Sequence, residues 1–195
     1  VSGALMLLYL AGALQKLAAA LAGWKGGVEC VSAAELAALR DAELPVYTIF
    51  LPLFREEAIA EKLLRRIGAL DYPPDKLDVK LLLEAGDDTT RRALEQVALP
   101  PYCEIIVAPP GLPQTKPRAC NYGLEAARGE YCVIYDAEDI PEPDQLRKAV
   151  AVFRRHPGDS VTCVQAKLNY YNRTQNWLTR MFTIEYSTTF DLMLP

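Results

Sequence analysis

Acidic residues gather at three places in this chain, each soon after a run of apolar residues. They are Glu56-Glu57, Glu84-Ala85-Gly86-Asp87-Asp88 and Asp136-Ala137-Glu138-Asp139. Carboxylates set close together repel, and each raises its neighbour's pKa unless a cation neutralises them. Hard oxygen ligands suit Mg2+ or Mn2+, ions that typically bind through one or two carboxylates and complete their shell with substrate phosphates. Between the second and third groups stand Lys116 and Arg118, whose charged donors suit phosphate oxygens. The chemistry implied is the holding of a phosphorylated ligand together with a divalent ion. Each group also has a plainer use. Asp87-Asp88-Thr89-Thr90 suits a helix N-cap, and Asp136 to Asp139 a solvated turn. Glu56 and Glu57 favour a helix N-terminus. Lys116 and Arg118 suit an exposed loop, and Asn121 a polar helix face.

The elements that must position these residues alternate. Val46 to Leu51 is β-branched and aromatic and reads as a strand, stopped by Pro52. Leu77 to Leu83, Cys103 to Val107, Tyr131 to Tyr135 and Ser160 to Leu168 read as four more strands. Helical spacing marks Glu57 to Leu70, Thr89 to Ala98, Arg118 to Arg128 (with Gly129 as its stop) and Pro143 to Arg155. Alternation of this kind predicts β-α-β units and a mostly parallel sheet. The strands read as continuous apolar runs, the pattern of strands buried on both faces. In such sheets ligands bind beyond the carboxyl ends of the strands, where the acids fall. The proline-rich stretch Pro109 to Pro117 reads as a mobile cover.

Bulk properties narrow the function. A net charge of −4 with no basic cluster argues against a nucleic-acid partner. The five scattered cysteines suit reduced thiols and no disulfide framework. A Ser-His-Asp or Cys-His mechanism would have to use His156, the single histidine, which sits at a polar helix end. Val1 to Ala22 is nearly all apolar and about long enough to cross a bilayer, although Lys16 lies inside it. A membrane helix and a buried or amphipathic helix both remain open for this segment. Ser32 and Glu35 form a candidate capping box for a short helix within Val31 to Ala42.

Four stretches carry a resemblance: VYTIFLPLFREE, LDVKLLLEAGDD, KPRACNYGLEAARGEYCVIYDAEDIPEPDQL and VTCVQAK. They are similar to those of family 2 glycosyltransferases, of the membrane-bound type related to bacterial cellulose synthase. The resemblance implies an α/β, Rossmann-like GT-A fold over residues 44–170. Residues 1–27 would be an apolar helix and candidate membrane segment, 28–43 a linker helix, and 171–195 the start of an acceptor-side or interfacial segment. It implies binding of a nucleoside diphosphate sugar, UDP-sugar by family expectation, with Mg2+ or Mn2+, and inverting transfer to a glycan or lipid acceptor in polysaccharide synthesis. The parent protein is expected in the inner (cytoplasmic) membrane, facing the cytoplasm.

The resemblance also implies roles for single residues. Pro52 and Glu56 fall on the element that lines the uridine pocket, with Arg55 where Asn is usual. Glu84, Asp87 and Asp88 fall on the acidic motif contacting base and ribose, and the choice among them stays open. Lys116, Arg118 and Asn121 fall on the segment facing diphosphate and sugar, and Gln165 on the acceptor side. Asp136, Glu138 and Asp139 fall on the D-x-D metal motif, with Glu138 in place of its second Asp. The family's general base and Q-x-x-R-W motif lie further downstream, so the base is expected beyond Pro195 and the chain is expected to be a catalytically incomplete fragment. The absence of an initiator Met agrees with that expectation. Two rivals stand against this reading: an inert nucleotide-sugar-binding module and a sugar nucleotidyltransferase. The second needs a Gly-rich phosphate loop, and neither G-x-G-x-x-G nor G-x-x-x-x-G-K-[ST] occurs.

Overall fold

The computed structural model describes residues 2–23, 28–57, 60–158 and 160–193. The chain divides into two compact units, Val31–Pro157 and a second made of Val1–Cys30 with Gly158–Pro195. The first holds β1 (Tyr47–Leu53), β2 (Leu77–Glu84), β3 (Cys103–Ala108) and β4 (Tyr131–Ile134). It also holds α2 (Ala33–Ala38), α3 (Ala60–Ile67), α4 (Asp88–Glu95), α5 (Lys116–Glu125) and α6 (Gln145–Arg155). The second unit holds α1 (Ser2–Gly23) and α7 (Trp177–Thr188), which runs into a π-helical turn at Thr189–Met193.

All strand pairs are parallel, in the order β3-β2-β1-β4. The chain lays down β1, β2 and β3 in one direction, then returns past β1 to place β4 on its other side. That reversal makes the β1–β4 boundary the switch point of the sheet. β1 pairs with β4 only from Tyr47 to Phe50, whereas its pairing with β2 runs on to Leu53. Pro52, with no N–H to offer a ladder, lies just beyond the last β4 pair. The two strands therefore part at their carboxyl ends, the place where sheets of this kind bind ligands.

Strand side chains alternate between two cores. Ile49, Leu51, Leu53, Val79, Leu81 and Leu83 pack with Leu63 and Ile67 of α3, Leu94 of α4, and Leu146 and Val150 of α6. Phe50 and Leu82 face the other way, onto Ala119 and Cys120 of α5. Gly123 permits that close approach, since a Cβ there would stand 2.7 Å from Leu82 Cδ2.

Several expectations change. β2 is not an apolar run throughout, because Asp78 and Lys80 are fully buried on the α5 face. Asp78 accepts Thr48 Oγ1 at 2.9 Å and Arg128 N at 3.0 Å, and Lys80 Nζ lies 3.0 Å from Asp78 and 2.6 Å from Glu104. Every charge in the group thus has an opposite partner, which is what burial of charge requires. β3 and β4 are edge strands and only half buried, with Val107 44% and Ile134 51% exposed. The expected strand at Ser160 to Leu168 does not form. Its residues lie in the second unit, mostly exposed and with no ladder partner among the described residues. β-propensity alone does not make a strand without a neighbouring edge.

α5 starts at Lys116 instead of Arg118, because Pro117 fits the first helical turn, where its missing N–H costs nothing. The helix ends at Glu125, so Gly129 is not its stop. Gly129 N donates to Thr48 Oγ1 at 2.9 Å, and a Cβ on it would strike the Thr48 backbone. The Ser32–Glu35 capping box of α2 forms as expected.

In the second unit, α1 is long and apolar enough to cross a membrane by length and composition, and Leu5, Leu8, Leu14 and Leu21 are exposed along it. α7 begins on an Asn176 capping box and exposes Trp177, Leu178, Met181 and Ile184. Cys103, Cys120, Cys132 and Cys163 are free thiols. Only Cys120 is buried and Cys103 partly so, and burial pushes the Cys103 thiol up to about 12.

Candidate functional site at the carboxyl ends of the strands

The residues beyond β1, β2 and β4 converge through backbone and side-chain bonds. After β2 the chain turns through Gly86, whose φ of +99° favours glycine. This brings Asp87 to the N-cap of α4. Asp87 Oδ1 accepts Thr90 N at 3.2 Å and Thr89 Oγ1 at 3.0 Å, and Oδ2 accepts Arg55 N at 2.7 Å. Burial raises the Asp87 pKa, but the N–H groups of Arg55 and Thr90 and the threonine hydroxyl outweigh it, so the carboxyl sits below its usual range. Thr90 Oγ1, itself buried, accepts Glu56 N at 2.9 Å. The loop after β1 is thereby tied to α4 by two backbone N–H groups. Arg55 takes a φ of +58° there, in the left-handed region where Asn is several-fold enriched.

The first turn of α5 joins the ends of β2 and β4. Arg118 Nη1 donates to Glu84 Oε2 at 3.2 Å, Nη2 donates to the Pro109 carbonyl, and the guanidinium lies 5.2 Å from the Tyr122 ring centroid. Lys116 Nζ donates to Asp136 Oδ1 at 2.5 Å. Asp136 holds the Lys116 ammonium above its usual pKa, against the opposing effect of burial, with help from Glu138 and Asp139. The turn after β4 is closed by Asp139, whose Oδ2 accepts Asp136 N at 2.8 Å while its own N–H donates to Asp136 O at 3.0 Å. From α3, Arg66 Nη1 donates to the carbonyls of Ala137 and Asp139 at 3.1 and 3.0 Å.

Seven of the candidate residues have side chains or neighbouring backbone bound into this edge: Glu56, Glu84, Asp87, Lys116, Arg118, Asp136 and Asp139. Pro52 is half buried in β1. Asp88, Asn121 and Glu138 are exposed beside it, at the start of α4, on α5 and in the β4 turn. Gln165 belongs to the second unit, where its amide donates to the Ala166 carbonyl at 3.1 Å. Arg66 and Thr90 were not singled out from the sequence. Their partners lie 71 and 34 positions away, and no local pattern marks such bonds.

The chemistry of the donors suits a divalent ion. Among the described residues Asp136 is charge-paired only to Lys116, and both it and Glu138 are reached by solvent. Among the described residues no three His, Cys, Asp or Glu side chains converge. A site with few protein ligands is the arrangement that Mg2+ and Mn2+ use when phosphates supply the rest. One buried acceptor, Glu84 Oε1, has no hydrogen-bond partner. A hollow of about 510 Å³ lies at the opposite edge, over Asp78, Lys80, Glu104 and Arg128. Its charges are paired with one another, and it does not include the strand-end acids.

The model of the family described as "Glycosyltransferase like family 2" matches residues 45–194. Glucomannan 4-beta-mannosyltransferase 2 of Arabidopsis thaliana is 26% identical over 78% of this chain and 30% of its own length. Beta-monoglucosyldiacylglycerol synthase of Trichormus variabilis is 28% identical over 70% of this chain and 29% of its own. The chain spans about a third or less of the curated relatives it matches. A mannosyltransferase from Pyrobaculum calidifontis, solved with GDP-Man and Mn2+, is 26% identical and aligns with a TM-score of 0.54, covering 84% of this chain and 48% of that one. The parallel sheet with helices on both faces is the GT-A arrangement, the family match covers most of the sequence, and the chain belongs to glycosyltransferase family 2.

Proposed function

We propose that residues 44–170 form the donor-binding domain of a glycosyltransferase that takes a nucleoside diphosphate sugar, with UDP-sugar as the first candidate. The observation that carries this reading is the first turn of α5, where Lys116 reaches Asp136 and Arg118 reaches Glu84 across the end of β1. That turn brings two cations and two acids to the switch point, which is where a diphosphate and its counter-ion need them. Asp136 and Glu138 would hold Mg2+ or Mn2+, with Asp139 shaping the turn. When bound, such an ion neutralises the charge of the leaving diphosphate. Lys116 and Arg118 bind phosphate oxygens, Asn121 faces the sugar, and Pro52, Glu56, Glu84, Asp87 and Asp88 border the nucleoside, with Asp87 acting through the backbone. Gln165 is assigned to the acceptor side.

The acceptor is a glycan or lipid, the transfer inverting, and the role polysaccharide synthesis. The exposed apolar surface of α1 supports attachment of the parent protein to a membrane, and the family resemblance is the ground for assigning the inner (cytoplasmic) membrane with the donor domain on the cytoplasmic side. The Pyrobaculum neighbour's GDP-Man makes GDP the second nucleotide to test. Calorimetric titration of the chain with UDP and with GDP, each with and without Mn2+, tests the reading. Expected is Mn2+-dependent binding of one diphosphate, lost in Asp136→Asn. Absence of metal-dependent binding would favour an inert module, and, with UTP and GTP titrated alongside, preference for a nucleoside triphosphate would favour a nucleotidyltransferase.

A further inference from the structure

We infer that Lys116 is a place-holder cation for Asp136: its ammonium occupies the carboxylate until a diphosphate with its metal arrives, and then moves to the phosphate oxygens. The inference rests on the donor-site reading above and adds an order of events to it. Three observations carry it. The Lys116–Asp136 contact is short, 2.5 Å, yet both side chains are about half exposed, at 49% and 41%. Water and ions therefore reach the pair, and exposed pairs of this kind are weak and exchange readily.

The other cations near the strand ends are fastened more firmly. Arg118 and Glu84 are 16% and 10% exposed, and Arg118 is further held by the Pro109 carbonyl and the Tyr122 ring. Arg66 is held by the carbonyls of Ala137 and Asp139 in the turn after β4. Lys116 is the one of these three whose bonds all go to a single solvent-accessible carboxylate. Finally, Asp139 pins the Asp136 backbone N–H, so the main chain that carries the Asp136 carboxylate stays in place when its partner leaves.

The electrostatic consequence is a coupling. A divalent ion arriving alone must displace the ammonium and then tolerate it as a close like charge. A diphosphate arriving with the metal offers the ammonium a new anion. Metal and diphosphate then favour each other by more than their direct bond, and by linkage the effect is reciprocal.

The test uses the whole chain and reads free Mn2+ by electron paramagnetic resonance, with and without UDP or GDP. In Lys116→Gln, Mn2+ alone is expected to bind about three- to tenfold tighter than in the parent chain, while the nucleoside diphosphate in saturating Mn2+ binds about tenfold more weakly. Lys116→Arg, which keeps the charge, is expected to leave the Mn2+-only constant near the parent value. Opposite movement of the two constants is a signature that a merely loosened loop does not produce. If the parent chain binds Mn2+ with a nucleotide but Lys116→Gln binds Mn2+ alone no tighter, the place-holder is overturned and the donor site stands. If the parent binds no Mn2+ with either nucleotide, both fall together.

Discussion

Asp87 accepts the backbone N–H of Arg55 at 2.7 Å, and this bond fastens the loop after β1 to the first turn of α4. The same carboxylate caps α4 through Thr90 N. Asp87→Ala removes a cap and orphans a loop N–H, which costs about 2–3 kcal/mol in urea unfolding. Because hydrogen bonds hold the Asp87 pKa below its ordinary 3.8 despite burial, its stabilisation is complete above that value and is lost as pH falls through the lower folded value. The stability gap between the parent chain and Asp87→Asn is therefore expected to stay level near neutrality and to narrow below about pH 4. A gap that widens on acidification would contradict the assignment.

Arg55 carries a left-handed backbone that Asn adopts more easily. Arg55→Asn is expected to raise stability by about 0.5 kcal/mol, and the β-branched Arg55→Val to lower it by about 1–2 kcal/mol, read from the urea midpoints. Equal midpoints for both variants would mean that the loop relaxes out of this conformation.

Lys80 is enclosed by two acids of unequal burial, Asp78 at 1% and Glu104 at 60% side-chain exposure. Lys80→Ala removes one of two cations on the buried Asp78 carboxylate, leaving Arg128 at 2.8 Å, and is expected to cost about 1–3 kcal/mol. Glu104→Gln keeps the Asp78 partner and is expected to cost no more than about 1 kcal/mol. Thermal unfolding of the two variants side by side checks the contrast.

Gly123 lies where α5 meets β1 and β2, and a Cβ there would come within 3.1 Å of Phe50 Cδ1 as well as 2.7 Å of Leu82 Cδ2. Gly123→Ala gains about 1 kcal/mol of helix propensity and loses about 1–3 kcal/mol to overpacking. A net loss in the unfolding free energy is expected, and it is relieved in the double variant with Leu82→Val. A fully additive double variant would show that the two sites do not touch.

Glu84 has one oxygen on Arg118 and one buried oxygen without a partner. A ligand donor at that oxygen would satisfy it, so Glu84→Gln is expected to weaken nucleoside diphosphate binding by about tenfold. Asp88 is exposed at the start of α4, and Asp88→Asn is expected to change the affinity by less than about threefold. Calorimetry on both variants separates these acids, and a larger effect for Asp88 would reverse their roles.

Much of the fold is legible in local pattern. The β-branched run at Tyr47, the apolar run from Leu81 to Leu83 and the helical spacing of Leu63, Leu64 and Ile67 each state their element through side-chain period alone. The Ser32–Glu35 box is equally local, since both partners lie within one turn. From these follow the alternation, the parallel sheet and the placement of the acids at strand ends. What stayed illegible depends on pairing across distance. Ser160 to Leu168 has strand composition but no edge to join, and Asp78 with Lys80 reads as a flaw in an apolar strand until Glu104 and Arg128 close around them. The division of labour among Asp87, Asp136 and Asp139 was likewise decided in three dimensions. Composition makes all three candidate ligands, but which carboxylate is spent on backbone N–H groups and which faces an exchangeable ammonium depends on where β1, β2 and β4 bring their ends. Residue type sets what a side chain is able to bind, whereas the partner it binds is chosen by the long-range packing that brings distant segments within hydrogen-bond reach.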